Sequence, residues 1–192
     1  MKKFRKGQAG YLDYQKKAEI IRVIIYFAII LAIFLIGYFQ TKTRLNVMTI
    51  VAVVGCLPAC KVLVGVIIRV AYYSINKAKA AEIAALTDHI TVIYDMIITS
   101  RQSIMPVDCI VISGHTAFGF TSSHKVDPTE VSKHISDILR SNQIDGVSLK
   151  ILDNYTAFLA RAEGLNNIAR VEKSDTKAFE TQVANLILNI SL

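Results

Sequence analysis

Apolar positions follow two different patterns along this chain. Residues 23–39, VIIYFAIILAIFLIGYF, carry no charge, and residues 47–68 form a second apolar run whose one charge is Lys61. As helices, runs of this length extend about 26 and 33 Å, close to the hydrocarbon thickness of a bilayer. After residue 73 the pattern becomes that of an ordinary folded domain. INKAKAAEIAALTDH is rich in strong helix formers and can continue the second run as a stalk. ITVIYDMIIT (90–99) is β-branched and predicts a strand, which SRQSIMP interrupts. VDCIVIS (107–113) and TAFGFTS (116–122) flank Gly114-His115, a two-residue hairpin signal. In DPTE (127–130), Asp127 is placed as N-cap, Pro128 as first helical residue and Glu130 as the far side of a capping box. Val131, Ile135, Ile138 and Leu139 then form an amphipathic stripe to about residue 142. VSLKIL (147–152) predicts a fourth strand, and helices are expected at 155–169 and 175–190.

The order predicts an antiparallel meander with a helical crossover to the fourth strand. The expected fold class is a membrane-anchored α+β protein, in which a two-helix transmembrane hairpin precedes an α-β-β-β-α-β-α-α sandwich domain. The corresponding divisions are a basic arm (1–22), two spans (23–39 and 47–68), an outer loop (40–46), a helical stalk (69–89) and the α+β domain (90–192). The stalk helix is also free to join the domain core.

Charge gives this hairpin a direction. Residues 1–74 carry eleven Lys/Arg and two acids, and residues 75–192 carry eleven and thirteen, so the net charges are +9 and −2. The positive excess therefore reports orientation and contact with anionic headgroups and is no argument for nucleic acid, which is not expected as a partner. Seven basic residues precede residue 23, against two in the 40–46 loop, which puts both termini in the cytoplasm. Arg22 and Arg69 mark the inner ends of the spans as membrane-interface anchors. A cleaved signal peptide is the rival reading of the first run, but a second span follows at once and no small-x-small site ends the first. VVGC (53–56) has the form of a lipoprotein box but lies inside the second run.

GCLPACK (55–61) is the unusual stretch of the second span. Pro58 donates no N–H and pushes away the carbonyl four residues earlier, that of Val54. Lys61 lies one turn beyond and leans towards that carbonyl, since helical side chains tilt towards the N-terminus. Lys61 is thus read as capping a proline kink or as meeting a lipid phosphate; the other reading is a tilted helix with Lys61 near the interface. Cys56 and Cys60, with Gly55, Ala59 and Gly65, are read as small packing residues. The three cysteines, at 56, 60 and 109, have no disulfide-framework spacing and fit a reducing compartment.

The stretch GYLDYQKKAE…GYFQTKTRLNVMTIVAVVGCLPACK resembles a family of small two-span membrane proteins of anaerobic Gram-positive bacteria, over roughly the first 65 residues. This resemblance implies an architecture and no activity. The element order of the second half resembles restriction-endonuclease-like folds, including membrane-tethered nuclease-related domains. In those, the second strand brings an Asp and the third an acidic-x-Lys triplet, which together hold a divalent metal. Asp108 stands at the first position, but TAFGFTS supplies neither carboxylate nor lysine, and Lys125 lies beyond it. The resemblance therefore implies a catalytically degenerate relative, with Asp108 the one catalytic candidate.

Other chemistry is not signalled. His89, His115, His124 and His134 lack metal-ligand spacing and are read as solvated. SGHTAFG is not a phosphate loop, no nucleophile elbow is present, and no cofactor motif stands out. Phe118 and Phe120 share a strand face and are read as core rather than as base-stacking residues. The expected function is a non-enzymatic interaction module, with membrane lipids and either a protein partner or a second copy as its contacts. The alternative is a membrane-tethered, metal-dependent nuclease or other hydrolase using Asp108 with Glu82, Asp95 or His124. Ion transport by the Lys61 hairpin ranks last, because two helices enclose no path.

Overall fold

The computed structural model describes residues 4–42, 47–100, 103–172 and 176–192. Most of the expected 40–46 loop lies outside the described residues. The chain divides into two compact units, Leu12–Tyr73 and Ser74–Leu192, the latter joined by Met1–Tyr11.

The first unit is a pair of antiparallel helices, α1 (Tyr11–Thr41) and α2 (Val47–Val70). Both are long and apolar enough to cross a membrane. Helix α1 starts well ahead of the apolar run, because the polar residues from Tyr11 to Arg22 are themselves good helix formers. The facing sides repeat every seven residues: Val23, Ile30 and Gly37 on α1, and Ala52, Ala59 and Val66 on α2. Such spacing makes a straight seam between helices, and its small residues let the backbones approach. At Gly55 a Cβ would already touch Ile30, at 3.5 Å. The remaining faces are apolar and outward, with Ile24, Ile29, Leu31, Val53, Leu57 and Ile67 exposed. Cys60 is exposed and Cys56 half-buried, so Cys60 is not the packing residue expected; its position falls off the seam.

The second unit is an α+β sandwich. Its elements are α3 (Lys77–Leu86), β1 (Thr91–Thr99), β2 (Ile104–Ser113), β3 (Thr116–Phe120), α4 (Pro128–Ser141), β4 (Ser148–Leu152), α5 (Tyr155–Glu172) and α6 (Lys177–Ile190). The sheet order is β1-β2-β3-β4, antiparallel except for the parallel β3/β4 pair that α4 connects. Helices α4 and α6 cover one face through Val131, Ile135, Leu139, Val183 and Ile187. Helices α3 and α5 cover the other through Ala80, Ile83, Phe158 and Ala162. The expected order and connectivity are therefore present. Helix α3 is no stalk: α2 ends at Val70, and Asn76 caps a separate helix whose Ile83 is fully buried.

Strand β2 also begins earlier than the sequence indicates, running through Pro106. The Pro106 carbonyl accepts from the Thr121 hydroxyl at 2.8 Å, on the side where β3 has already ended. The proline nitrogen faces that same side, so its missing N–H breaks no ladder bond. His134, expected in solvent, is half-buried next to the Ile135 face of α4. Phe120 is buried against Phe158 and Tyr155, as a core residue should be.

Two short segments cover the outer edge of β1. Gly7 accepts from the Tyr94 N–H at 2.9 Å, and Ser191 bridges Ile98 while the Leu192 N–H donates to the Ile97 carbonyl. The Lys6 ammonium donates to the Ser191 carbonyl at 2.6 Å, tying the two segments together. An edge strand left open offers itself to other chains, and these segments close it.

Candidate functional site

Asp108 and Asp95 stand opposite each other on β2 and β1. The register pairs Tyr94 with Cys109 and Met96 with Val107, leaving the two aspartates between them outside the ladder. Both strands change phase there. Ile93 and Ile110 point to the α4/α6 core, and so do Met96 and Val107, which strict alternation would send to the other face. On β1 the change falls at Asp95, whose φ of 57° is a left-handed conformation that breaks the strand's regular alternation. Aspartate tolerates this region better than most residues because its short polar chain bonds locally.

The Asp95 side chain is buried and its two oxygens accept from separate backbone groups, Gly10 N–H at 2.7 Å and Ile75 N–H at 2.9 Å. One carboxylate thus holds the chain immediately before α1 and the chain shortly after α2 to the same point of the sheet. Asp108 is half-buried and accepts from the Ser122 N–H at 2.6 Å. Burial pushes its carboxyl above the ordinary carboxylate range; Ser122 opposes this, Asp95 reinforces it and Lys79 opposes it. Glu82, on α3, instead accepts from the Tyr155 hydroxyl at 2.6 Å, and His124 is exposed in the segment after β3. Among the described residues, no three His, Cys, Asp or Glu side chains converge as metal ligands.

A raised folded pKa means that the native state gains stability as pH falls from neutral through that value, and that the ionised form weakens the fold. Asp108→Asn keeps an acceptor for Ser122 and removes the charge. It is expected to leave the melting temperature at pH 7 unchanged or to raise it. A loss of stability on this substitution, measured by thermal unfolding, would show that the charge is needed.

The other cluster lies in the helical unit. Glu19, Arg22 and Tyr26 on α1 face Lys61, Gly65 and Arg69 on α2 across an open cleft of about 320 Å³. The spacing explains the meeting. Residues at 19, 22 and 26 share one face of a helix, as do 61, 65 and 69, and antiparallel packing brings Glu19 to Arg69 and Tyr26 towards Lys61. Arg69 Nη1 donates to both Glu19 oxygens, at 2.7 and 2.8 Å, within a pair largely shielded from solvent. Arg69 Nε is buried without a hydrogen-bond partner among the described residues.

Three of the residues singled out in the sequence therefore line one site: Arg22, Lys61 and Arg69. The fourth, Pro58, is exposed within an unbroken α2 and does not line it. Lys61 opens onto the cleft, and no hydrogen bond joins it to the Val54 carbonyl among the described residues. Glu19 is the member that sequence reasoning passed over; its i, i+3 spacing to Arg22 was the available signal.

Comparison with protein-family models, with curated proteins and with solved structures found no match.

Proposed function

We propose that this chain is a membrane-anchored, non-enzymatic binding module. Its helical hairpin crosses the cell membrane with both termini cytoplasmic, and its α+β domain engages a protein partner or a second copy at the inner surface. The observation that carries the reading is the surface of α1 and α2. Their outward faces are apolar over most of their length, while charged groups gather where α1 begins and α2 ends. In water so large an exposed apolar surface would drive association; in a bilayer it meets its matching solvent. The positive charge at one end supplies the orientation.

The non-enzymatic part rests on how the carboxylates are used. Both Asp95 oxygens are engaged by backbone N–H groups, and Asp108 faces Ser122. A metal-dependent nuclease needs carboxylates aimed together at an ion. Asp95 instead holds chain segments in place.

Cysteine accessibility tests the topology. A membrane-impermeant maleimide is expected to label a cysteine placed at Thr43 in intact cells and to leave one placed at Asn142 unlabelled until the cells are lysed. The reverse pattern would put the domain outside and remove the proposed partner class. For the module itself, cross-linking in membranes should give a discrete homo- or hetero-complex. A monomer by mass photometry with no stoichiometric companion would count against it.

A further inference from the structure

The cleft between α1 and α2 holds more positive charge than the protein itself neutralises. Arg69 takes both oxygens of Glu19, the one carboxylate lining the cleft among the described residues. Arg22 and Lys61 line the same cleft and form no ion pair among the described residues. Arg69 Nε is also buried and unpartnered. Unpaired cations beside an apolar surface are costly, and the sequence retains two of them on facing helices. Both are exposed, so their charges are open to a ligand from outside the chain.

The surroundings say what carries it. The cleft reaches from the Glu19–Arg69 pair to Lys61, eight residues or about 12 Å along α2. Beyond Lys61 the exposed surface of α2 is largely apolar, with Val53, Val54 and Leu57 outward. A ligand matching this arrangement has an anionic head and a hydrocarbon continuation. Tyr26 adds a hydroxyl and an aromatic face at the lower end of the cleft, the pairing typical of a headgroup boundary.

We infer that this cleft binds the phosphate of an anionic phospholipid, with Arg22 and Lys61 as its direct charge partners and Arg69 engaged by Glu19. The inference rests on the membrane reading given above. Phosphate is the shared chemistry, and the lipid headgroup is its source: the acyl chains lie along the apolar faces and bring the phosphate to Lys61. No proline-freed carbonyl is involved, and the lipid phosphate neutralises Lys61 at the exposed helix surface. Glu19 competes with the phosphate for Arg69.

The test uses the full chain in a non-ionic detergent, with phosphatidylglycerol, phosphatidylcholine and inorganic phosphate as probes. Native mass spectrometry counts bound lipid, and a thermal shift reads the affinity. Wild type is expected to retain one phosphatidylglycerol in preference to phosphatidylcholine. Arg22→Gln and Lys61→Gln should each weaken its binding about fivefold, following the free energy of one cation at an anionic surface. Lys61→Arg should restore it. Glu19→Gln, which frees Arg69 for the ligand, should tighten it. Equal binding by wild type and the Arg22→Gln/Lys61→Gln double variant would overturn the site. Displacement of the lipid by excess inorganic phosphate would overturn the lipid source. Carbonate extraction of native membranes separates this result from the membrane reading: a chain that stays in the pellet yet binds no lipid at the cleft refutes this inference alone, and a chain released by carbonate refutes the anchoring itself.

Discussion

Asp95→Ala is expected to lower the stability of the folded chain by about 3 kcal/mol, through two losses that a second substitution separates. The first is the loss of acceptors for the Gly10 and Ile75 N–H groups, one part-buried and the other buried. An orphaned buried donor costs about 1–3 kcal/mol. The second is conformational: residue 95 has φ 57°, where an alanine Cβ meets the carbonyl oxygen, at about 1 kcal/mol or more. Asp95→Gly loses the same acceptors but adopts that φ freely, so it should lie about 1 kcal/mol above Asp95→Ala. Thermal unfolding of the full chain in detergent gives the two values, and amide exchange should quicken at Gly10 and Ile75 in both variants. Equal stabilities of the alanine and glycine forms would show that residue 95 is not held in a strained conformation. Unchanged exchange at Gly10 would show that the carboxylate does not hold the segment before α1.

Glu180→Ala is the other large effect expected, again about 3 kcal/mol. Glu180 is buried at the start of α6, yet it accepts from the Thr91 hydroxyl at 2.7 Å, the Gly114 N–H at 3.0 Å and the Thr176 hydroxyl at 3.0 Å. The Lys177 ammonium lies at 3.4 Å. It therefore fastens the β2–β3 turn and the start of β1 to one helix end. Burial alone would push its carboxyl up, but the hydrogen bonds from Gly114, Thr91 and Thr176, with the Lys177 charge, outweigh it and hold the group below its ordinary value. A carboxyl with a depressed folded pKa contributes stability above its unfolded pKa and loses it as pH falls through the folded value. Wild type should accordingly lose stability on acidification below about pH 4.5. Glu180→Gln should be less stable at pH 7 and should lose part of that acid dependence. Parallel pH profiles for wild type and Glu180→Gln would exclude this carboxylate as the titrating group.

The elements whose signals are local were legible in the sequence. The Asp127-Pro128-Glu130 start of α4 appears with the Asp127 carboxylate accepting from Thr129 N–H at 2.8 Å. Gly114, with φ 53°, makes the two-residue turn between β2 and β3. The two long apolar helices follow from composition alone. Each of these depends on a few neighbouring residues, so a single stretch of sequence contains the whole cause.

What the sequence left open depends on contacts between distant positions. SRQSIMP reads as an interruption because proline usually ends a strand; Pro106 is tolerated only because β3 has already ended beside it. Residues 1–22 read as a basic cytoplasmic arm, yet Gly7 and Gly10 are bonded to β1 and Lys6 to the Ser191 carbonyl. The hydrophobic pattern could not announce this, since those contacts run through backbone groups that every sequence possesses. Asp95 looked like a possible metal ligand, because a carboxylate in a strand shows its charge in the sequence but not its partners. Arg22, Lys61 and Arg69 were each visible as isolated charges at the ends or middle of apolar runs. Only the antiparallel packing of α1 on α2, at a seven-residue repeat, turned positions about 40 to 50 apart in the chain into one cleft with a single competing carboxylate. Periodicity along one helix sets which residues share its face; the partner face, and so the chemistry between them, is decided by tertiary packing.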